Sequence, residues 1–185
     1  MTSKRILRTA LFSGACLMSV DAFAETHAAH EHGVAQMNLV QIENNVVLEV
    51  TSPAFNVFGF EHKPHTEQEK ALVKTRLKTM NSGGLVLFDT DANCELKETK
   101  LKKPFADDHE EHEHEDHEHE GHHNHRDIHV EYTFTCTNPQ ALSQINLEPL
   151  FKNWPQLEQV RSQWVIGNLQ SSATATRQQT QVKLK

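Results

Sequence analysis

Between Asp107 and Arg126 the chain reads DDHEEHEHEDHEHEGHHNHR, and eight of these twenty residues are histidine: His109, His112, His114, His117, His119, His122, His123 and His125. Nine more are Asp or Glu, and none is aliphatic or aromatic. Imidazole nitrogen and carboxylate oxygen are ligands of Zn²⁺ and its first-row neighbours, so the chemistry open to this stretch is metal binding. With nothing to bury, it cannot offset the conformational entropy of a packed state, and the expectation is a disordered loop. Its histidines recur every five residues. Such a step drifts by about 140° around an α-helix and changes side at each repeat along a strand. Neither element gathers them on one face, so the pattern supplies ligand density rather than one tetrahedral site. The bland alternative is a solvated charge run.

A second set has the same spacing. His27, His30 and His32 form H-x-x-H-x-H, which returns at His109, His112, His114 and at His114, His117, His119. Cleavage after Ala24 makes His27 the third residue of the mature chain. There an amine, two backbone amides and an imidazole can hold Cu(II) or Ni(II) in a square plane, an alternative to Zn²⁺. His119-Glu120-Gly121-His122-His123 matches H-E-x-x-H formally, but that chemistry needs the motif on a rigid helix. No nucleophile elbow, phosphate loop or dinucleotide fingerprint accompanies it, so the chain reads as a binding protein and not an enzyme. A metallohydrolase is the distant alternative.

The segments that position these ligands begin with an export signal over residues 1–24. Lys4, Arg5 and Arg8 precede a run of apolar and small residues, and Ala22-Phe23-Ala24 offers a cleavage site. The run is shorter than the roughly 20 apolar residues of a membrane span, so no membrane insertion follows signal removal. The expected destination is the periplasm. Anchoring as a lipoprotein at Cys16 is the alternative, weakened by the missing Leu three residues earlier.

Processing leaves 25–185 as a single metal-binding domain. Loss of Lys4, Arg5, Arg8 and Asp21 changes the 18 basic and 25 acidic residues to 15 and 24, a net charge of −9. That balance repels nucleic acid and anionic membrane and attracts cations. Two cysteines survive, Cys94 and Cys136. An oxidising compartment favours a disulfide between them, which would close a loop around the whole histidine-rich stretch. Two free buried thiols, or Cys ligands to zinc, are the other readings.

Period-two alternation from Val34 and again over Val46 to Thr51 predicts a hairpin turning at Glu43-Asn44-Asn45. Phe55, Val57, Phe58 and Phe60 read as an irregular apolar plug ahead of His62 and His65. Thr66 and Glu69 form a capping box for a helix to about Met80, with Val73, Leu77 and Met80 on one face. Leu85 to Phe88, Cys94 to Leu101 and Ile128 to Thr137 read as strands, the last with His129, Glu131, Thr133 and Thr135 outward. Ile145 to Phe151 reads as extended, and Val160 to Ile166, Ser171 to Thr176 and Thr180 to Leu184 supply the last strands. About seven strands and one principal helix make an α+β fold, mainly antiparallel β, with the histidine-rich loop inserted between two strands.

The chain resembles the ZrgA-like periplasmic zinc-uptake proteins. The residues that carry the likeness are His30-Glu31-His32-Gly33 leading into a strand, Ser52-Pro53-Ala54, and Gly59-Phe60-Glu61-His62-x-Pro64-x-Thr66 before the helix. The histidine-rich insertion between Cys94 and Cys136 completes the match, and the Gly-Phe-Glu-His stretch is its specific part. The resemblance implies a zinc-binding accessory protein whose partner is a zinc ABC transporter or its periplasmic solute-binding protein. It also implies that His62 joins the N-terminal histidines in a fixed metal site.

Overall fold

Alternating apolar and polar side chains build the main layer of the structure, a computed structural model that describes residues 31–102, 104–105 and 126–185. In chain order the first elements are β1 (Val34–Ile42), β2 (Asn45–Pro53), α1 (Ala54–Phe58), α2 (Glu67–Asn81), β3 (Leu87–Phe88) and β4 (Cys94–Lys102). After the histidine-rich segment come β5 (Asp127–Cys136), β6 (Gln144–Asn146), α3 (Glu148–Asn153), β7 (Gln159–Ile166), β8 (Leu169–Thr176) and β9 (Gln181–Lys183). The fold is α+β, mainly antiparallel, with α2 as its principal helix.

Six strands form one sheet in the order β4-β5-β2-β1-β7-β8, and three form a second, β3-β6-β9. Every pairing is antiparallel except β1 with β7, which run parallel. Met37, Leu39, Leu48, Val50, Ile128, Val130, Tyr132 and Trp164 point to the buried face of the large sheet. They share one core with Val73 and Met80 of α2, Leu150 and Phe151 of α3, Trp154, and Ile145 and Val182 of the small sheet. Tyr132 donates its hydroxyl hydrogen to the Met80 carbonyl at 2.6 Å, tying the end of α2 to the sheet, and burial pushes its pKa up.

Cys94 lies directly opposite Cys136 and is bonded to it, with a sequence separation of 42. From there the β4–β5 ladder runs to Lys102 opposite His129, with a bulge between Leu96 and Glu98. The histidine-rich segment is therefore inserted between two paired strands, at the end of the ladder remote from the disulfide.

Two local expectations are corrected. The Phe55 region is not irregular: it forms α1, which buries Ala54, Asn56, Val57 and Phe58 and ends at Gly59 with φ +84°. Only a residue without a Cβ enters that region freely, so Gly59 stops the helix. Ile145 to Phe151 is not one extended run, because β6 ends at Asn146 and α3 follows. Pro149 stands in the first turn of α3, where its missing N–H has no helical partner to lose. The described residues hold nine strands, and the three shortest, β3, β6 and β9, overlap the segments Leu85 to Phe88, Ile145 to Phe151 and Thr180 to Leu184 read as extended. The signal, Cys16 and the segment 106–125 lie outside the described residues.

Candidate metal centre

His32 is positioned by a buried amide. Asn56, fully enclosed in α1, accepts the Gly33 N–H at 2.7 Å through Oδ1 and donates through Nδ2 to the Val34 carbonyl and the Ser52 hydroxyl. Gly33 has φ +84°, and its carbonyl receives the N–H groups of Glu158 and Gln159. A Cβ at Gly33 would stand 3.2 Å from the Glu158 side chain in a strained backbone conformation. This clamp lays His32 on α1. Its ring stacks on Phe55 with centroids 4.3 Å apart, and its Nε2 is 3.2 Å from Glu61 Oε1. Glu31, just before it, pairs with Arg161 of β7 at 2.8 Å.

The chain then passes from Gly59 into a column of rings. Phe60 lies 6.0 Å from Phe58, 6.2 Å from Phe105 and 4.8 Å from His62, and His62 stacks on His65 at 5.0 Å. Phe105 also meets Phe58, and the Arg126 guanidinium lies over the Phe105 ring while donating to the Pro104 carbonyl. The Arg126 carbonyl accepts the Ala54 N–H at 2.7 Å. Pro104-Phe105 and Arg126 flank the undescribed histidine-rich segment. Both of its roots thus rest on the element that presents His32 and His62.

His62 has its two ring nitrogens in different settings. Nδ1 is 2.8 Å from the Lys63 carbonyl, and Nε2 is 4.0 Å from Glu69 Oε1. Glu69 completes the capping box of α2: its Oε2 accepts the N–H groups of His65 and Thr66, and its own N–H donates to Thr66 Oγ1. The backbone N–H of Thr66, then that of His65, holds the Glu69 carboxyl below its ordinary value, with a smaller contribution from nearby His62.

Of the residues read from the sequence as ligands, His32 and His62 are each placed beside a carboxylate. Among the described residues, no group of three or more His, Cys, Asp or Glu is arranged to hold a metal ion. His27, His30, His109, His112, His114, His117, His119, His122, His123 and His125 lie outside the described residues. Cys94 and Cys136 are joined as a disulfide. His129 is exposed on β5, with Nδ1 3.1 Å from Thr51 Oγ1, beside a shallow depression lined by Glu49, Lys100 and Glu131. Sequence reading missed Asn56, Glu61, Phe105 and Arg126 as positioning residues. The one signal for Asn56 was a polar side chain inside an apolar run, and Glu61 stood unremarked within the Gly-Phe-Glu-His stretch.

A family model described as "ZrgA family zinc uptake protein" matches residues 29–184. The chain belongs to that family, and its role lies in zinc uptake. No curated protein matches it in sequence. Among the described residues, no helix is long and apolar enough to cross a membrane.

Proposed function

We propose that this member of the family is a non-enzymatic periplasmic zinc-capture protein that serves high-affinity uptake. In this reading the histidines of the insertion, with His27 and His30, collect Zn²⁺ at high local ligand density. The folded region carrying His32 and His62 receives it and passes it to an ABC transporter or to that transporter's solute-binding protein. The observation that supports the reading is the contact of Phe105 and Arg126 with α1 and Phe60. It fixes both ends of the collector beside two histidines held in defined orientations.

Transfer by ligand exchange needs partners of different character. A chain rich in ligands but poor in packing loses entropy whenever it wraps an ion, so its affinity stays modest and its exchange quick. A prepositioned imidazole avoids much of that loss. The competing reading is a buffer for Zn²⁺, Cu(II) or Ni(II) with no transporter partner, built on His27 as the third mature residue. Growth separates the two. Cells lacking an uptake factor grow poorly under zinc chelation and recover with added zinc, whereas loss of a buffer sensitises cells to excess metal and leaves growth under chelation unchanged.

A further inference from the structure

We infer that His62 Nε2 and Glu69 Oε1 form a two-ligand zinc half-site, with the carboxylate that caps α2 serving at the same time as a metal ligand. This rests on the zinc-capture reading and names where in the folded region the ion is taken. The first ground is the setting of His62. A metal-binding imidazole characteristically gives its other ring N–H to a carbonyl or carboxylate, which fixes the tautomer and leaves the ligating nitrogen bare. His62 Nδ1 stands 2.8 Å from the Lys63 carbonyl, the geometry of that bond, and Nε2 is the nitrogen left over.

The second ground is distance. Zinc ligands at about 2.0–2.1 Å in a tetrahedron lie roughly 3.3 Å from one another. The separation of 4.0 Å between His62 Nε2 and Glu69 Oε1 exceeds a direct hydrogen bond and needs only a small side-chain adjustment to span an ion. The third is the division of labour at Glu69. Oε2 takes both cap hydrogen bonds, from His65 and Thr66, so Oε1 is the oxygen turned to His62.

His65 is not a third ligand in this arrangement. An imidazole binds metal in its own plane, and the His62 and His65 rings are stacked 5.0 Å apart and only 20° from parallel. Two protein ligands leave two positions of a tetrahedral ion open, which suits a site that receives zinc from one imidazole donor and yields it to another.

The test is a zinc titration of the full mature chain with histidines labelled with nitrogen-15, following the ring nitrogens and assigning His62 from the signal lost in His62→Ala. Glu69→Gln keeps a capping-box side chain, because Gln serves at that position, but removes the anionic ligand. Its helix content should stay close to the parent's, and its melting midpoint should fall by no more than a protonated Glu69 would lower it, since Gln keeps the cap acceptor and loses only its charge. The His62 Nε2 signal should then need about tenfold or more zinc to shift, a loss no smaller than that for an outer-shell partner. Glu67→Gln, which removes an exposed charge from the same helical turn, should leave the His62 titration in place. The inference is overturned if His62 titrates alike in the parent and Glu69→Gln, if it never responds, or if Glu67→Gln has an equal effect. A silent His62 with the other histidines responding leaves the zinc-capture reading standing. Silence of every histidine removes that reading as well.

Discussion

The two histidine-bearing regions differ in what surrounds the imidazoles. From Asp107 to Arg126 the histidines stand in sequence among charged and polar residues, with no aliphatic or aromatic side chain in the segment. Between His32 and Glu69, each described histidine lies against another ring: His32 on Phe55, His62 on Phe60 and His65 on His62. The first arrangement raises the number of imidazoles and the second fixes their direction. A protein that gathers a scarce ion and releases it gains from having both, provided the two are close. The Phe105 and Arg126 contacts keep the roots of the first on the scaffold of the second.

The sharpest way to break the comparison is to delete residues 107–125, keeping Arg126 and its bond to the Ala54 N–H, and to close the gap with a short turn. Most bound zinc should disappear, read by metal analysis and calorimetry on the mature protein, because eight of the 14 histidines go with the segment. The melting midpoint should barely move, since the β4–β5 ladder from Cys94 to Lys102 is closed by its own hydrogen bonds. Unchanged stoichiometry would place the collecting function in the folded domain and end the distinction.

Acidification comes next in size. An imidazole of ordinary pKa, about 6.5, falls from roughly nine-tenths neutral at pH 7.5 to one-tenth at pH 5.5. A site using three or four such ligands should lose about a thousandfold or more in zinc affinity over that interval. A His62–Glu69 site competes with protons at one nitrogen only, so its affinity should fall far less steeply. The depressed pKa of Glu69 sets its own window. Its contribution to the cap of α2 is present above the unfolded value of 4.5 and is lost as pH falls through the lower folded value. At pH 5.5 the cap is intact, and helix content measured there should equal that at pH 7.5. Competition titrations at the two pH values would show parallel slopes if both regions bound zinc in the same way.

The disulfide separates stability from capture. Closing a loop over a separation of 42 residues removes chain entropy worth about 4 kcal/mol. Cys94→Ser with Cys136→Ser should therefore lower unfolding stability by about that amount in urea. Zinc stoichiometry should be unchanged, because the bond lies at the far end of the ladder from the insertion. Loss of bound zinc in the still-folded variant would show that the bond shapes the collector.

How much of this was legible in the sequence follows from the range of each interaction. The α2 capping box is contained in four residues, and the strict alternation of Ile128, Val130, Tyr132 and Phe134 carries its own period, so both were readable. The disulfide was readable from compartment and count. α1 was not, because five residues hold barely one turn and its limits come from Pro53 and Gly59. The parallel pairing of β1 with β7 joins Val34 to Gln159, and nothing local marks it. The candidate site was legible as a set of residue types and illegible as a geometry. Glu61 and Glu69 acquire a place beside histidines only after Gly33 and Gly59 have turned the chain.

Asn56 gives the smallest of these effects and the most specific. A histidine in the insertion replaced by Ala should change stability by less than about 0.5 kcal/mol, as expected from a segment whose sequence holds no aliphatic or aromatic residue. Asn56→Ala strips partners from the Gly33 N–H and the Val34 carbonyl, both within the fold. Unsatisfied buried groups cost about 1–3 kcal/mol each, and partial rehydration should hold the total near 2–3 kcal/mol in urea unfolding. The loss should be accompanied by release of His32 from Phe55, seen as a shift of its ring protons toward random-coil values. The His62 signals should stay in place, because His62 hangs from Gly59 and the cap of α2 rather than from Asn56. If both histidines are released together, the clamp and the ring column are one cooperative unit. The contrast would then lie between a loop and a single rigid receiver, not between a loop and two independently held imidazoles.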